Sequence, residues 1–64
     1  MYGICLLPVI PMQKLASHKS EMINQVLFGE TFKLLEKKED WTFIQLIHDN
    51  YKGWISNTQY ELIE

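Results

Sequence analysis

The sequence predicts an all-β domain in which five to six short antiparallel strands curl into a small barrel. Apolar and β-branched runs of strand length recur along the chain, polar turns separate them, and helical periodicity is scarce. The length of 64 residues predicts a single domain, residues 1–64. A chain this short buries only about 60% of the surface that its unfolded form exposes. The 47% of hydrophobic residues must therefore pack efficiently.

The first half of the chain divides into a strand, a loop and an ambiguous segment. Tyr2–Ile10 is apolar and β-branched and predicts the first strand, which its prolines confine to a sheet edge or a strand end. The polar composition of Met12–Ser20 predicts a long loop. Glu21–Phe28 fits a helical face about as well as a strand. We favour an extended conformation because Gly29 stops the segment abruptly and the next strand follows at once.

The second half of the chain predicts a series of β-hairpins. The charged residues 36–40 predict a solvent-exposed tip, and Asp49 and Asn50 tolerate the positive φ angles of a tight turn. Residues 57–59 predict a further short turn. The strands predicted around these turns are Thr31–Leu35, Trp41–His48, Tyr51–Ser56 and Tyr60–Ile63.

Charge and hydropathy exclude two classes of partner. The formal net charge is −2, and all six basic residues are lysines. Nucleic-acid binding usually shows a basic face with bidentate arginine contacts, so we expect no nucleic-acid partner. No apolar run reaches the length of a transmembrane helix, so we expect no membrane span.

Cys5, His18 and His48 invite comparison with a catalytic dyad or a metal site. Zinc sites normally show paired ligands two to four residues apart, and these three residues lack that spacing. Cys5 lies in an apolar segment, where we expect its thiol to pack as a small hydrophobic group. The sequence therefore predicts no metal, no cofactor and no catalytic residue.

Three segments go beyond a generic β protein. Gly29 permits a sharp turn into the next strand, and Gly53 leaves room beside Trp54 for a bulge or a close backbone approach. The indole of Trp54 can then close one end of the barrel, and Trp41 can cover core residues. The segments are Ser-His-Lys-Ser-Glu-Met-Ile-Asn-Gln-Val-Leu-Phe-Gly-Glu at 17–30, Asp-Trp-Thr-Phe-Ile at 40–44 and Asp-Asn-Tyr-Lys-Gly-Trp-Ile at 49–55.

In this order the segments resemble the bacterial SH3 domain, most closely the version at the N-terminus of NlpC-type cysteine peptidases of the dipeptidyl-peptidase VI kind. The resemblance covers nearly the whole chain and implies an SH3-like barrel excised from a longer peptidase. Such enzymes cleave cell-wall peptides between D-glutamate and the following diamino acid, using a separate C-terminal domain. The resemblance therefore implies a non-enzymatic domain, whose compartment (bacterial cell envelope, periplasm or cytoplasm) stays open.

The resemblance also implies a role in substrate binding. In these peptidases the barrel walls the substrate pocket and favours peptides with a free N-terminal amine. A carboxylate and a tyrosine hydroxyl suit an ammonium group, and Glu21 and Tyr51 occupy the matching motifs. The alternatives are a solvated loop acid for Glu21 and a packed strand aromatic for Tyr51. For Trp54 we favour the core or the barrel end over a binding surface, and for Phe28 we expect burial.

Two other functions compete with an accessory role. The first is a free-standing module that binds a peptide or peptidoglycan on its own. The second is a eukaryotic-type SH3 domain, which grips proline-rich peptides in an aromatic groove beside an acidic loop. The loop at Met12–Ser20 contains neither an acid nor an aromatic residue, so the sequence disfavours this second alternative.

Overall fold

The computed structural model describes residues 1–63, which form one antiparallel sheet. Its strands lie in the spatial order β3-β2-β6-β5-β4-β1-β7. The all-β prediction is confirmed, although the strands within residues 1–63 number seven rather than five or six. In the described part of the chain no ladder joins the edge strands β3 and β7, so hydrogen bonds do not close the sheet into a complete barrel. The strands are β1 Tyr2–Ile4, β2 Val9–Gln13, β3 Met22–Leu27, β4 Thr31–Lys37, β5 Trp41–Leu46, β6 Lys52–Ser56 and β7 Glu61–Ile63.

The segment expected to form one strand, Tyr2–Ile10, forms two. β1 pairs with β4 and β7, whereas β2 pairs with β3 and β6. Between them the Cys5 amide donates to the Glu30 carbonyl at 3.0 Å, and the Gly29 amide donates to the Cys5 carbonyl at 2.7 Å. Pro8 offers no amide to extend the first ladder. The chain therefore turns where its backbone bonds to the β3–β4 turn.

The predicted loop begins later than its composition suggests. Met12 and Gln13 belong to β2, and the Met12 side chain is fully buried. Pro11 is accommodated because the ladder between β2 and β6 contains only the pair Gln13 and Trp54, which leaves the proline without a ladder partner on that side. The extended conformation expected for Glu21–Phe28 is confirmed by β3.

Alternation along the strands builds the core. Ile44 and Leu46 share the inner face of β5, as the sequence predicts, and Ile55 faces them from β6. Leu34 and Tyr60 pack against the edge of this cluster. The eight buried residues of the core are Cys5, Ile10, Met12, Val26, Phe32, Ile44, Leu46 and Ile55.

The turn between β5 and β6 has the predicted geometry. Asn50 adopts a positive φ of 61°, and its amide donates to the Leu46 carbonyl at 3.0 Å. The Asp49 carboxylate accepts from the Tyr51 amide at 3.0 Å. Asparagine tolerates this backbone region better than other side chains, so the turn is encoded locally.

Register shifts occur at two places in the sheet, between Met12 and Gln13 and between Leu34 and Glu36. Gly53 is therefore not a bulge, and the other expectation for it, a close approach, is confirmed. A Cβ atom at Gly53 would lie 3.1 Å from the Met12 Cε and 3.3 Å from the Gln13 carbonyl oxygen. The buried Met12 side chain therefore packs directly against the backbone of β6 at Gly53.

Replacing Gly29 with alanine should lower the free energy of unfolding by about 1 kcal/mol. Gly29 has a φ of +83°, and no atom would lie within 4 Å of an alanine Cβ at this position, so the cost is backbone strain alone. Gly29→Asn is the matched control, because asparagine accepts a positive φ more readily and should cost less. Urea unfolding of both variants measures the difference. Equal losses would contradict this explanation.

Candidate functional site

Of the two residues that the sequence assigns to substrate binding, Glu21 lies just before β3, and Tyr51, from the turn before β6, extends its hydroxyl to the backbone of β3 at Ile23. The Tyr51 hydroxyl donates to the backbone carbonyl of Ile23 at 3.4 Å. Glu21 directly precedes β3, two residues before Ile23. Two residues of extended chain span about 7 Å, so the backbone of Glu21 lies about 7 Å from the residue that accepts the Tyr51 hydrogen bond. We call this place the β3 corner, defined by Glu21, Ile23 and Tyr51.

Serine side chains order the loop that leads to Glu21. The Ser20 hydroxyl accepts from the Leu15 amide at 2.8 Å, and the Ser17 hydroxyl accepts from the Lys19 amide at 3.1 Å. The Glu21 carbonyl accepts from the Lys14 amide at 2.9 Å, which closes the loop. The Ser-x-x-Ser-Glu sequence therefore fixes the backbone on which the Glu21 carboxylate is mounted.

The β3 corner has the chemistry to accept hydrogen bonds from a cation. Tyr51 is 42% exposed and Glu21 is exposed as well, so a solute can reach both side chains. Because the Tyr51 hydroxyl gives its hydrogen to Ile23, the lone pairs of its oxygen stay free to accept. A carboxylate supplies charge and the phenol oxygen supplies a further acceptor, which together suit an ammonium group.

Cys5, His18 and His48 lie in three different environments. The buried Cys5 thiol belongs to the core and donates to the Leu7 carbonyl at 3.1 Å, so the packing expected for it is confirmed. The His18 ring lies against the indole of Trp41, with centroids 4.7 Å apart. The His48 Nδ1 lies 3.3 Å from a carboxylate oxygen of Glu30. Within residues 1–63 no three His, Cys, Asp or Glu side chains come together as metal ligands.

Two aromatic residues, Phe28 and Trp54, are placed differently from the expectation. Phe28, expected to be buried, is 67% exposed because it lies in the turn beyond the end of β3. Trp54 is half-buried outside the core cluster, and its ring packs on that of Phe43 with centroids 5.0 Å apart. Trp41 is buried, and the His18 ring lies against its indole. Trp54 therefore belongs to the outer surface of the sheet rather than to the core.

The aromatic pair Phe43–Trp54 is a surface feature that the sequence-based interpretation missed. Strand alternation could have revealed it. Side chains alternate between the two faces of a strand, so Phe43 lies on the face opposite Ile44, and Trp54 lies on the face opposite Ile55. Lys38 extends its Nζ atom over the Trp54 ring, 5.0 Å from the centroid. The pair thus forms a half-exposed apolar surface beside a cation.

Short antiparallel strands joined by polar turns define a small all-β domain. The chain belongs to the family of the bacterial dipeptidyl-peptidase SH3 domain, whose model matches residues 14–59. The match includes Glu21 and Tyr51, and it confirms the resemblance seen in the sequence. A comparison with curated proteins found no match.

Two consequences follow from the family and the fold. Residues 1–63 form the strands and turns of one SH3 domain, so no catalytic domain lies among them. No helix capable of crossing a membrane occurs in the same residues.

Proposed function

We propose that this SH3 domain is the non-catalytic N-terminal accessory domain of a cell-wall peptide hydrolase that cleaves γ-D-glutamyl-diamino acid bonds. It shapes access of the substrate and recognises the free N-terminus of muropeptides. Its partner is an NlpC-type peptidase domain, C-terminal in the same parent chain, which supplies the catalytic residues. The observation that supports the proposal best is the β3 corner, with Glu21 and Tyr51 inside the segment that matches the family.

The proposed recognition depends on charge. The Glu21 carboxylate attracts the α-ammonium group of a released wall peptide, and the Tyr51 oxygen accepts one of its hydrogen bonds. The same nitrogen is uncharged in a peptide still attached to the glycan, because it forms an amide there. An accessory domain of this kind directs the hydrolase to released fragments rather than to intact wall.

Titration of the domain with L-Ala-γ-D-Glu-diaminopimelate should produce saturable amide shifts around Glu21 and Tyr51. The N-acetylated peptide should produce none at the same concentration. Glu21→Gln should weaken binding about tenfold, as expected for loss of one charge-assisted hydrogen bond. Glu39→Gln is the matched control, since Glu39 is an exposed acid at the β4–β5 tip.

Absence of shifts in the isolated domain would indicate a pocket wall that acts only beside the peptidase domain. The same substitutions are then made in the parent enzyme, where Glu21→Gln should lower kcat/KM for the free-amine peptide and leave an N-acetylated substrate unaffected. Equal effects on both substrates would contradict amine recognition. Hydrolysis by the isolated domain would contradict the accessory role.

A further inference from the structure

The outer side of the sheet carries a row of donors across three neighbouring strands. Lys33 of β4 is in register with Gln45 of β5, and Gln45 is in register with Lys52 of β6. Both lysines are exposed, and within residues 1–63 neither forms an ion pair. We call these three residues the donor row. Two free ammonium groups on either side of an amide suit a carboxylate.

The next row on the same face is apolar. Phe43 of β5 is in register with Trp54 of β6, and both rings are half-buried. Successive rows on one face of a sheet are two residues apart, or about 7 Å. Glu36, in register with Phe43, is the acid at the β4 end of this row. The rings of Phe43 and Trp54 therefore lie one row away from the donor row.

A third cation, from the lysine at the β4–β5 tip, lies over the aromatic pair. The Lys38 amide donates to the Trp41 carbonyl at 2.7 Å, which places Lys38 opposite Trp41 in the row after Phe43. The Lys38 Nζ reaches back to 5.0 Å from the centroid of the Trp54 ring. The outer face thus presents the two cations of the donor row and, one row further along the strands, the aromatic pair with the Lys38 ammonium group over the Trp54 ring.

We propose that the outer face of β4, β5 and β6 is a docking surface for an extended acidic peptide with the pattern acid-x-apolar-x-acid. Alternate side chains of an extended peptide also project to one side about every 7 Å. The first acid binds the donor row, the apolar side chain packs on Phe43 and Trp54, and the second acid binds the Lys38 ammonium group beside the Trp54 ring. This surface is distinct from the β3 corner, and the inference does not depend on the proposed function.

The positive charge of the three lysines favours an acidic peptide over a neutral sugar chain as the occupant. A neutral glycan stacks on aromatic rings and leaves the three ammonium groups without partners. An acidic peptide matches both kinds of row, and it does so at the period that the sheet itself imposes. Because the ion pairs are solvent-exposed, binding is weak and falls as salt concentration rises.

The probe is the blocked peptide acetyl-Glu-Ser-Leu-Ser-Glu-amide, titrated into the 15N-labelled domain at low salt. Saturable shifts are expected at the Gln45 amide and at the Trp54 indole. The double variant Lys33→Gln/Lys52→Gln should raise Kd about fivefold, since each exposed ion pair is worth about 0.2–1 kcal/mol. A peptide with glutamine in place of both glutamates should not bind measurably.

The control double variant is Lys19→Gln/Lys37→Gln, which removes the same charge away from the donor row. Lys19 lies in the loop before β3, and Lys37 is in register with the inward-facing Thr42. This variant should bind the peptide like the unmodified domain. An equal loss in both double variants would overturn the proposal, because binding would then report net charge alone. Tighter binding of an acidic oligosaccharide of uronic acids would also overturn it, by assigning the surface to a glycan.

Discussion

Replacing Gly3 with alanine is expected to lower the free energy of unfolding by about 2 kcal/mol. A Cβ atom at Gly3 would lie 2.6 Å from Cε1 and 2.9 Å from Cζ of Phe32, and 3.1 Å from Cδ2 of Tyr60. The Phe32 ring is fully buried and meets the Tyr60 ring edge-on, with centroids 5.5 Å apart. The Phe32 ring cannot withdraw without opening the core, so the extra methyl group forces β1 away from β4.

Urea unfolding measures this loss, and a second substitution tests its cause. Phe32→Leu removes the ring atoms that the alanine would meet, at a separate cost of its own. Gly3→Ala should therefore cost less in the Phe32→Leu background than in the unmodified chain. The same cost in both backgrounds would show that the Phe32 ring is not the source of the strain. In a domain this small, a loss of 2 kcal/mol corresponds to a fall in Tm of about 10 °C.

The parts of the fold that the sequence predicts correctly are those encoded by neighbouring residues. The turn at Asp49 and Asn50 depends on two side chains that tolerate its geometry, and the sharp turn at Gly29 depends on one missing Cβ. The division of the first segment into β1 and β2 depends on hydrogen bonds from Cys5 to the β3–β4 turn. Such a contact joins residues far apart in sequence, and composition carries no trace of it.

The errors over Phe28 and Trp54 have one cause, which is the assumption that a large apolar side chain lies inside. Phe28 falls one residue beyond β3, in the turn, where its side chain is exposed. Trp54 lies on the outer face of β6 because its two neighbours, Gly53 and Ile55, lie on the inner face and side chains alternate along a strand. Strand phase is therefore a better guide than hydrophobicity for single residues of a short barrel-like sheet.

For the candidate site, too, the sequence indicates the residues but not their position in the fold. The motif alone indicates Glu21 and Tyr51, because both lie in segments that resemble the family. Their common location at the β3 corner depends on the hydrogen bond from Tyr51 to Ile23, which the sequence does not reveal. The ammonium-binding role of the two residues remains a prediction, which titration with the free-amine and N-acetylated peptides can test.

Replacing Asn57 with alanine is expected to cost about 2–3 kcal/mol. The Asn57 side-chain amide donates to the carbonyls of Lys38 at 3.1 Å and Glu39 at 2.9 Å, and its oxygen accepts from the Thr42 hydroxyl. Thr42 is fully buried, and its hydroxyl also contacts the Tyr60 hydroxyl at 2.9 Å. One side chain therefore joins the β4–β5 tip to the turn before β7, and its removal takes one of two partners from a buried hydroxyl.

Two further variants separate these contributions. Asn57→Asp keeps an oxygen that can accept from Thr42 but replaces the two donors with a carboxylate facing carbonyl groups, so it should be at least as damaging as Asn57→Ala. Thr58→Ala, in the same turn, removes only an exposed contact with Ser56 and should cost less than about 0.5 kcal/mol. Thermal and urea unfolding of the three variants measures the order. A cost for Asn57→Ala as small as that for Thr58→Ala would show that the fold does not depend on this connection, and an Asn57→Asp variant of unchanged stability would show that the donors contribute nothing.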